Sequence, residues 1–102
     1  MSALDPVIHP ITRLKICAAL AAGGATEGAT RREMRFAHLR DLVDVSDATL
    51  SKQLAALEEH GYITRFREYG ASRAKDTVWV TLTEAGHKAY VGHVEALRAI
   101  AH

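Results

Sequence analysis

Two groups of residues in this 102-residue chain combine side-chain types and spacings suited to chemistry. The first is Ala48, Thr49, Ser51, Lys52, Gln53, Ala55 and Ala56. With Leu50, Leu54 and Leu57 as the inward face of a helix, steps of about 100° place Ala48, Lys52, Ala55 and Glu59 outward, flanked by Thr49, Ser51 and Ala56. An outer face of mostly small side chains lets a helix sit close to a surface. In a DNA major groove, roughly 12 Å wide, it would bring Thr49, Ser51 and Lys52 to base edges. Gln53 lies nearer the core edge, within reach of a phosphate or a base. Taken alone, the same pattern also describes ordinary solvated helix surface.

The second group is basic. Between Gly61 and Lys75 the cations Arg65, Arg67, Arg73 and Lys75 face only Glu68, and Ser72 and Gly70 lie among them. Cations around a small, polar tip attract phosphates, which supply most of the sequence-independent affinity for a duplex. From Asp76 onward the balance reverses, with Lys88 and Arg98 outnumbered by Asp76, Glu84 and Glu95. Arg31, Arg32, Arg35 and Arg40 are further candidates for backbone contacts, ranked below this stretch.

Catalytic constellations are not found. The sequence has no Gly-x-x-x-x-Gly-Lys phosphate loop, no Gly-x-Ser-x-Gly elbow and no His-Glu-x-x-His metal helix. His87 and His93 are six residues apart and miss the i, i+4 spacing of a shared metal site. The lone Cys17 excludes an internal disulfide and sits among apolar neighbours, as a small buried hydrophobe does, although a thiol sensor is the other reading. Neither a metal, a cofactor nor an enzymatic activity is expected.

Composition agrees with a binding domain. Hydrophobic residues make up 48% and charged residues 25%, the balance of a globular chain with one core rather than a disordered one. Net charge is only +1, so attraction for a polyanion must come from local distribution. No stretch approaches the ~18 apolar residues of a membrane span, and the N-terminus lacks a basic patch followed by a hydrophobic run, so a cytoplasmic location is expected.

These groups need elements to hold them. Asp5-Pro6 has the form of a helix cap with proline in the first turn, and Pro10 opens a first helix running to about Ala22. Its apolar residues Ile11, Leu14, Ile16, Cys17, Ala18 and Leu20 cover more than half its circumference, more than a small monomer can bury. Gly23-Gly24 stops it, and a small, polar stretch to Arg32 reads as a flexible loop. Met34 to Phe36 suits a very short strand. Phe36, Leu39, Leu42 and Val43 then mark one face of a second helix. After the tight connection Asp44-Val45, Ser46 caps a third helix that ends at Gly61. Two β-prone runs, Tyr62 to Arg67 and Thr77 to Leu82, form a hairpin with a long tip. In the second run Val78, Val80 and Leu82 alternate with Thr77, Trp79 and Thr81. Trp79 thus falls on the outward face, where it covers a dimer contact or a pocket, or packs under the tip. Thr83 precedes a last helix to about Ala101 with an apolar stripe of Ala85, Tyr90, Val94, Leu97, Ile100 and Ala101.

The expected fold is a single domain, mainly α with a small β-hairpin: a winged helix-turn-helix over residues 1–102, with the helix-turn-helix at about 36–60, the wing at about 62–82 and terminal helices at about 10–22 and 83–101. Three strings strengthen this. His9-Pro10-Ile11-Thr12-Arg13-Leu14, then Leu50-Ser51-Lys52-Gln53-Leu54 with Leu57-Glu58-Glu59-His60-Gly61-Tyr62-Ile63, then Leu82-Thr83-Glu84-Ala85-Gly86 resemble the compact winged helix regulators related to the MarR and ArsR families. That resemblance implies a homodimeric transcription regulator, often a repressor, bound to double-stranded DNA. The thiolate or histidine clusters of the metal-sensing relatives are missing. Surplus apolar surface on the end helices places the expected dimer interface at Ile11, Ile16, Leu20, Tyr90, Val94, Leu97 and Ile100. Two other readings stay open: a winged helix module that binds protein rather than DNA, and a sensor of a small-molecule effector or of redox state.

Overall fold

A computed structural model describes residues 3–101, apart from the side chain of Arg73. Its elements run α1 (Ile11–Ala22), β1 (Met34–Arg35), α2 (Phe36–Val43), α3 (Asp47–Glu59), β2 (Ile63–Glu68), β3 (Thr77–Leu82) and α4 (Glu84–Ala101). The strands form an antiparallel sheet in the order β1-β3-β2. This is the expected winged helix layout, with the short strand before α2 completing the sheet.

Helix ends follow local chemistry. At the end of α1, Gly24 has φ +71°, its N–H donates to the Ala21 carbonyl and the Ala25 N–H to that of Leu20. At the end of α3, Gly61 has φ +73°, with its N–H donating to Glu58 O and the Tyr62 N–H to Leu57 O. Both are the paired closure in which a left-handed residue satisfies the last carbonyls. Between α2 and α3 the left-handed residue is Asp44, φ 60°, whose N–H donates to Arg40 O at 2.8 Å. The Ser46 hydroxyl then accepts the Thr49 N–H at 3.1 Å and starts α3 as expected.

The core lies where the helices meet the inner face of the sheet. Leu39 from α2, Leu50, Leu54 and Leu57 from α3, and Val80 and Leu82 from β3 are completely buried. Each such side chain contributes about 1.5–3 kcal/mol by leaving water. Ile8, ahead of α1, is also fully buried and plugs the same core.

Several sequence expectations need correction. Ile16 and Leu20, expected at a dimer interface, are both 0% exposed inside their own chain, because α1 turns Ile16, Cys17 and Leu20 inward and leaves Ile11 64% exposed. Asp5-Pro6 opens only a single turn: Asp5 Oδ1 accepts the N–H groups of Val7 and Ile8, and Pro10 ends that turn before α1. Leu42, expected on the inner face of α2, is exposed. The stretch after Gly24 is tied down rather than free: Leu82 N–H donates to Ala25 O, Glu27 N–H to Leu82 O, and the Thr81 hydroxyl to Arg32 O. Lying across β3, it buries Thr81, which alternation had placed outward.

On α4 the inward residues are Gly86, His93 and Ala96, while Ala85 and Ile100 of the expected stripe are exposed. Gly86 is required by proximity, since a Cβ there would lie 2.1 Å from Tyr62 O. His93 Nδ1 accepts the Asp5 N–H at 2.8 Å, so its proton sits on Nε2, which has no hydrogen-bond partner among the described residues. Burial, reinforced by His9 nearby and opposed by Asp5, pushes the His93 imidazole down from its ordinary value. Among the described residues no helix is long and apolar enough to cross a membrane.

Candidate nucleic-acid interface

The outer face of α3 is open. Ala48, Thr49, Ser51, Lys52 and Ala55 are exposed, and Ala56 is half-buried at the margin. Gln53 departs from expectation: its Oε1 accepts from Arg13 Nε at 2.8 Å, which joins α3 to α1 and directs the amide away from the open face. Arg13 also donates to Val7 O at 3.3 Å, so the two side chains brace the N-terminal segment rather than reach outward.

The register of the sheet decides where the basic residues point. Arg65 pairs with Val80 and Arg67 with Val78, so both arginines share the inner sheet face that Ile63 and Leu82 occupy nearer the core. Beyond the core that face opens into a cleft of about 410 Å³ lined by Phe36, Asp47, Ala48, Ser51, Arg65, Arg67 and Val78. The structure therefore brings Ala48 and Ser51 of the helix group together with Arg65 and Arg67 of the wing group across one concavity. Ser72 and Lys75 stand apart at the wing tip, exposed, where residues 73–75 make a single 3₁₀ turn. The Arg73 side chain, expected beside them, lies outside the described part of the structure.

The arginines are not free charges. Arg65 Nη2 lies 2.9 Å and its Nε 3.3 Å from Glu58 Oε1. Arg67 is 3.6 Å from Asp76 Oδ2, and the other oxygen of Asp76 accepts the Gly70 N–H at 3.0 Å, closing the wing tip. Arg40 holds Asp47 at 2.9 Å and Asp41 at 3.1 Å. Lys52 and Lys75 form no ion pair among the described residues. The sequence shows Glu58 and Asp76 as acids beyond the two ends of the basic run but does not reveal them as the partners of Arg65 and Arg67. Seven positions separate Glu58 from Arg65 across a helix end, a spacing with no periodic signature.

On the opposite face of the sheet, Trp79 pairs with Phe66 on one side and Arg35 on the other. The Arg35 guanidinium sits 5.4 Å from the centroid of the Trp79 ring. Trp79 is thus half-buried beneath a cation, not under the wing tip, while Phe66 is 57% exposed. Cys17 is completely buried and burial, with the charge of Asp5, pushes its thiol up to about 12, the opposite of a reactive thiolate.

Helix-turn-helix, strand hairpin and flanking helices together define the winged helix class. More narrowly, the chain belongs to the family described as winged helix DNA-binding domain, whose profile matches residues 12–101. Among solved structures it resembles a transcriptional regulator homologue from Pyrococcus horikoshii OT3, with a TM-score of 0.76 at 18% identity over 93% of this chain and 84% of that one. It also resembles ytfH from Salmonella typhimurium, assigned as a transcriptional regulator, with a TM-score of 0.68 at 22% identity over 93% of this chain and 75% of that one. A third similar structure is NadR in complex with 4-hydroxyphenylacetate: TM-score 0.69, 21% identity, 94% of this chain and 63% of that one. At these identities the likeness concerns the fold. Comparison with curated protein sequences finds no match.

Proposed function

We propose that this protein is a sequence-specific, double-stranded DNA-binding transcription regulator of MarR-like type, acting as a homodimeric repressor. The observation that carries the reading is the cleft in which the small-residue face of α3, at Ala48 and Ser51, meets Arg65 and Arg67 of the wing. A duplex backbone following that cleft would leave Thr49, Ser51 and Lys52 facing base edges and the wing tip with Lys75 against the flanking phosphates. The family to which the chain belongs and the regulators it resembles support the same reading.

Dimerisation is supported by apolar side chains that the chain's own core leaves exposed or only partly covered, Tyr90 among them packing against that core by one side. Ile11 on α1 and Ile100 near the end of α4 are 64% and 68% exposed, and Tyr90, Val94 and Leu97 are half-buried. Two recognition helices related by a two-fold axis would read half-sites about one helical turn apart, or a multiple of that.

The deciding experiment is selection of genomic duplex fragments by the purified protein, followed by salt titration of the fragments retained. A recurrent palindrome is expected, with Lys52→Ala weakening binding and making the salt dependence shallower by nearly one unit. Retention of no fragment, or equal binding and slope for Lys52→Ala, would overturn the assignment.

A further inference from the structure

The arginines facing the cleft between α3 and the wing each hold a carboxylate of the same chain, and one of these carboxylates is badly placed for stability. Glu58 lies in the last turn of α3, where the carbonyl end of the helix disfavours negative charge. Its attraction to Arg65 offsets that, but the pair is solvated, with side chains 41% and 26% exposed, and such pairs contribute little to folding. Asp76, the partner of Arg67, and Asp47, which lines the cleft but is held by Arg40, have structural duties. Asp47 stands in the first turn of α3, where a negative charge is favoured, and Asp76 is mostly buried while holding the Gly70 N–H that shapes the wing tip. The Glu58 carboxylate has no partner other than Arg65 among the described residues. What it does is cancel Arg65.

We infer that Glu58 is a built-in counter-ion for Arg65 that lowers the protein's attraction for DNA of arbitrary sequence. The inference rests on the duplex-binding reading above and adds to it the residue that sets how much sequence-independent affinity the wing supplies. Free cations on a protein surface release salt ions from DNA when they meet phosphate, and this makes binding tight, unselective and salt-sensitive. An arginine already matched by an internal carboxylate must exchange that partner for a phosphate, so it adds little net attraction until the backbone lies close enough to replace Glu58 Oε1 on both of its donating nitrogens. Net charge of the whole chain, +1, fits a surface balanced in this way.

The test is fluorescence anisotropy with a labelled duplex of random sequence, titrated with salt, for the unsubstituted protein, Glu58→Gln, Arg65→Ala and the double variant. Glutamine keeps the length and a hydrogen-bond acceptor and removes a charge the helix end disfavours, so Glu58→Gln is expected to retain the unfolding midpoint of the unsubstituted chain. It should bind random duplex about three- to tenfold more tightly at 50 mM salt, with a salt slope steeper by about 0.9. In the Arg65→Ala background the same change should give less than half of that gain, since the two residues are coupled. An unchanged affinity and slope for Glu58→Gln, beside salt-dependent binding by the unsubstituted protein, would sink the inference and leave duplex binding standing. Equal gains in both backgrounds would sink it too, by showing that Glu58 acts on DNA without Arg65. Absence of any salt-dependent duplex binding by the unsubstituted protein would remove the functional reading and this inference with it.

Discussion

The Tyr62 hydroxyl donates to Asp5 Oδ2 at 2.6 Å, joining residues 57 positions apart in the chain. Tyr62 lies between α3 and β2, so this bond ties the N-terminal segment to the junction of the two elements that form the candidate interface. The same carboxylate accepts from two backbone N–H groups through its other oxygen, while the Asp5 N–H donates to His93. Asp5 therefore joins the N-terminal turn, the start of the wing and α4.

Tyr62→Phe should destabilise the domain by about 1.5–3 kcal/mol, the range for a hydrogen bond to a charged group, because the ring stays and only the donor is lost. Urea unfolding checks this. Asp5→Ala removes the partners of both the hydroxyl and the turn, so it should cost more than Tyr62→Phe; an equal or smaller loss would show that the turn holds without its cap.

Stability should fall with acidification in two windows. The His93 value is depressed in the fold, so its contribution is complete above the ordinary imidazole value of about 6.5 and is lost as pH falls below it. Burial works against the Asp5 carboxylate, yet the Tyr62 hydroxyl and the Val7 and Ile8 N–H groups hold it below the usual carboxylate range. Its contribution is complete above about 3.9 and disappears as pH drops further, through its lowered value. Unfolding midpoints measured from pH 8 to 3 should show both declines, and His93→Gln should abolish the first. A profile that is flat between pH 7.5 and 5 in the unsubstituted protein would contradict the assignment to His93.

Gly86→Ala should be more damaging than a helical glycine ordinarily allows. Alanine usually improves a helix by about 1 kcal/mol, but here the added methyl would meet the Tyr62 carbonyl oxygen and carbon at 2.1 and 2.8 Å. Both contacts are backbone, so α4 must lift away from the start of β2. A net loss of roughly 2 kcal/mol or more in unfolding free energy is expected, within the range of overpacking changes, and a gain would mean that α4 rides higher than described.

Cys17 should resist thiol reagents in the native protein and react only on unfolding. Its side chain is completely inaccessible and its thiol is held neutral by burial and by Asp5. Modification by a coloured disulfide reagent, compared with and without urea, measures this. Rapid native reaction would restore the redox-sensor reading.

Local signals accounted for most of the architecture. Ser46, Gly24 and Gly61 mark helix ends through chemistry confined to one or two turns, and the spacing of Leu50, Leu54 and Leu57 fixes which side of α3 stays open. Contacts distant in sequence were not legible. Nothing near Gln53 signals Arg13, and nothing near Arg65 signals Glu58, so one residue expected at the interface turned out to be a brace and one expected free charge turned out to be matched. The apolar circumference of α1 looks like surplus for a second subunit, yet Ile16, Cys17 and Leu20 are all needed by the core of the chain itself. Periodicity reports how much of a helix is apolar, not what covers it. The tie between residues 25–32 and β3 was invisible for another reason: it runs mostly through backbone groups, which every sequence possesses.

The sole tryptophan of the chain lies at the middle of the sheet, beneath the guanidinium of Arg35 and across from Phe66. Its ring forms part of the wing rather than of the helical core, so the molecule carries its own optical label on the sheet that borders the candidate interface. Light emitted by that ring would follow strand movement directly, with no dye to attach and no competing indole to subtract.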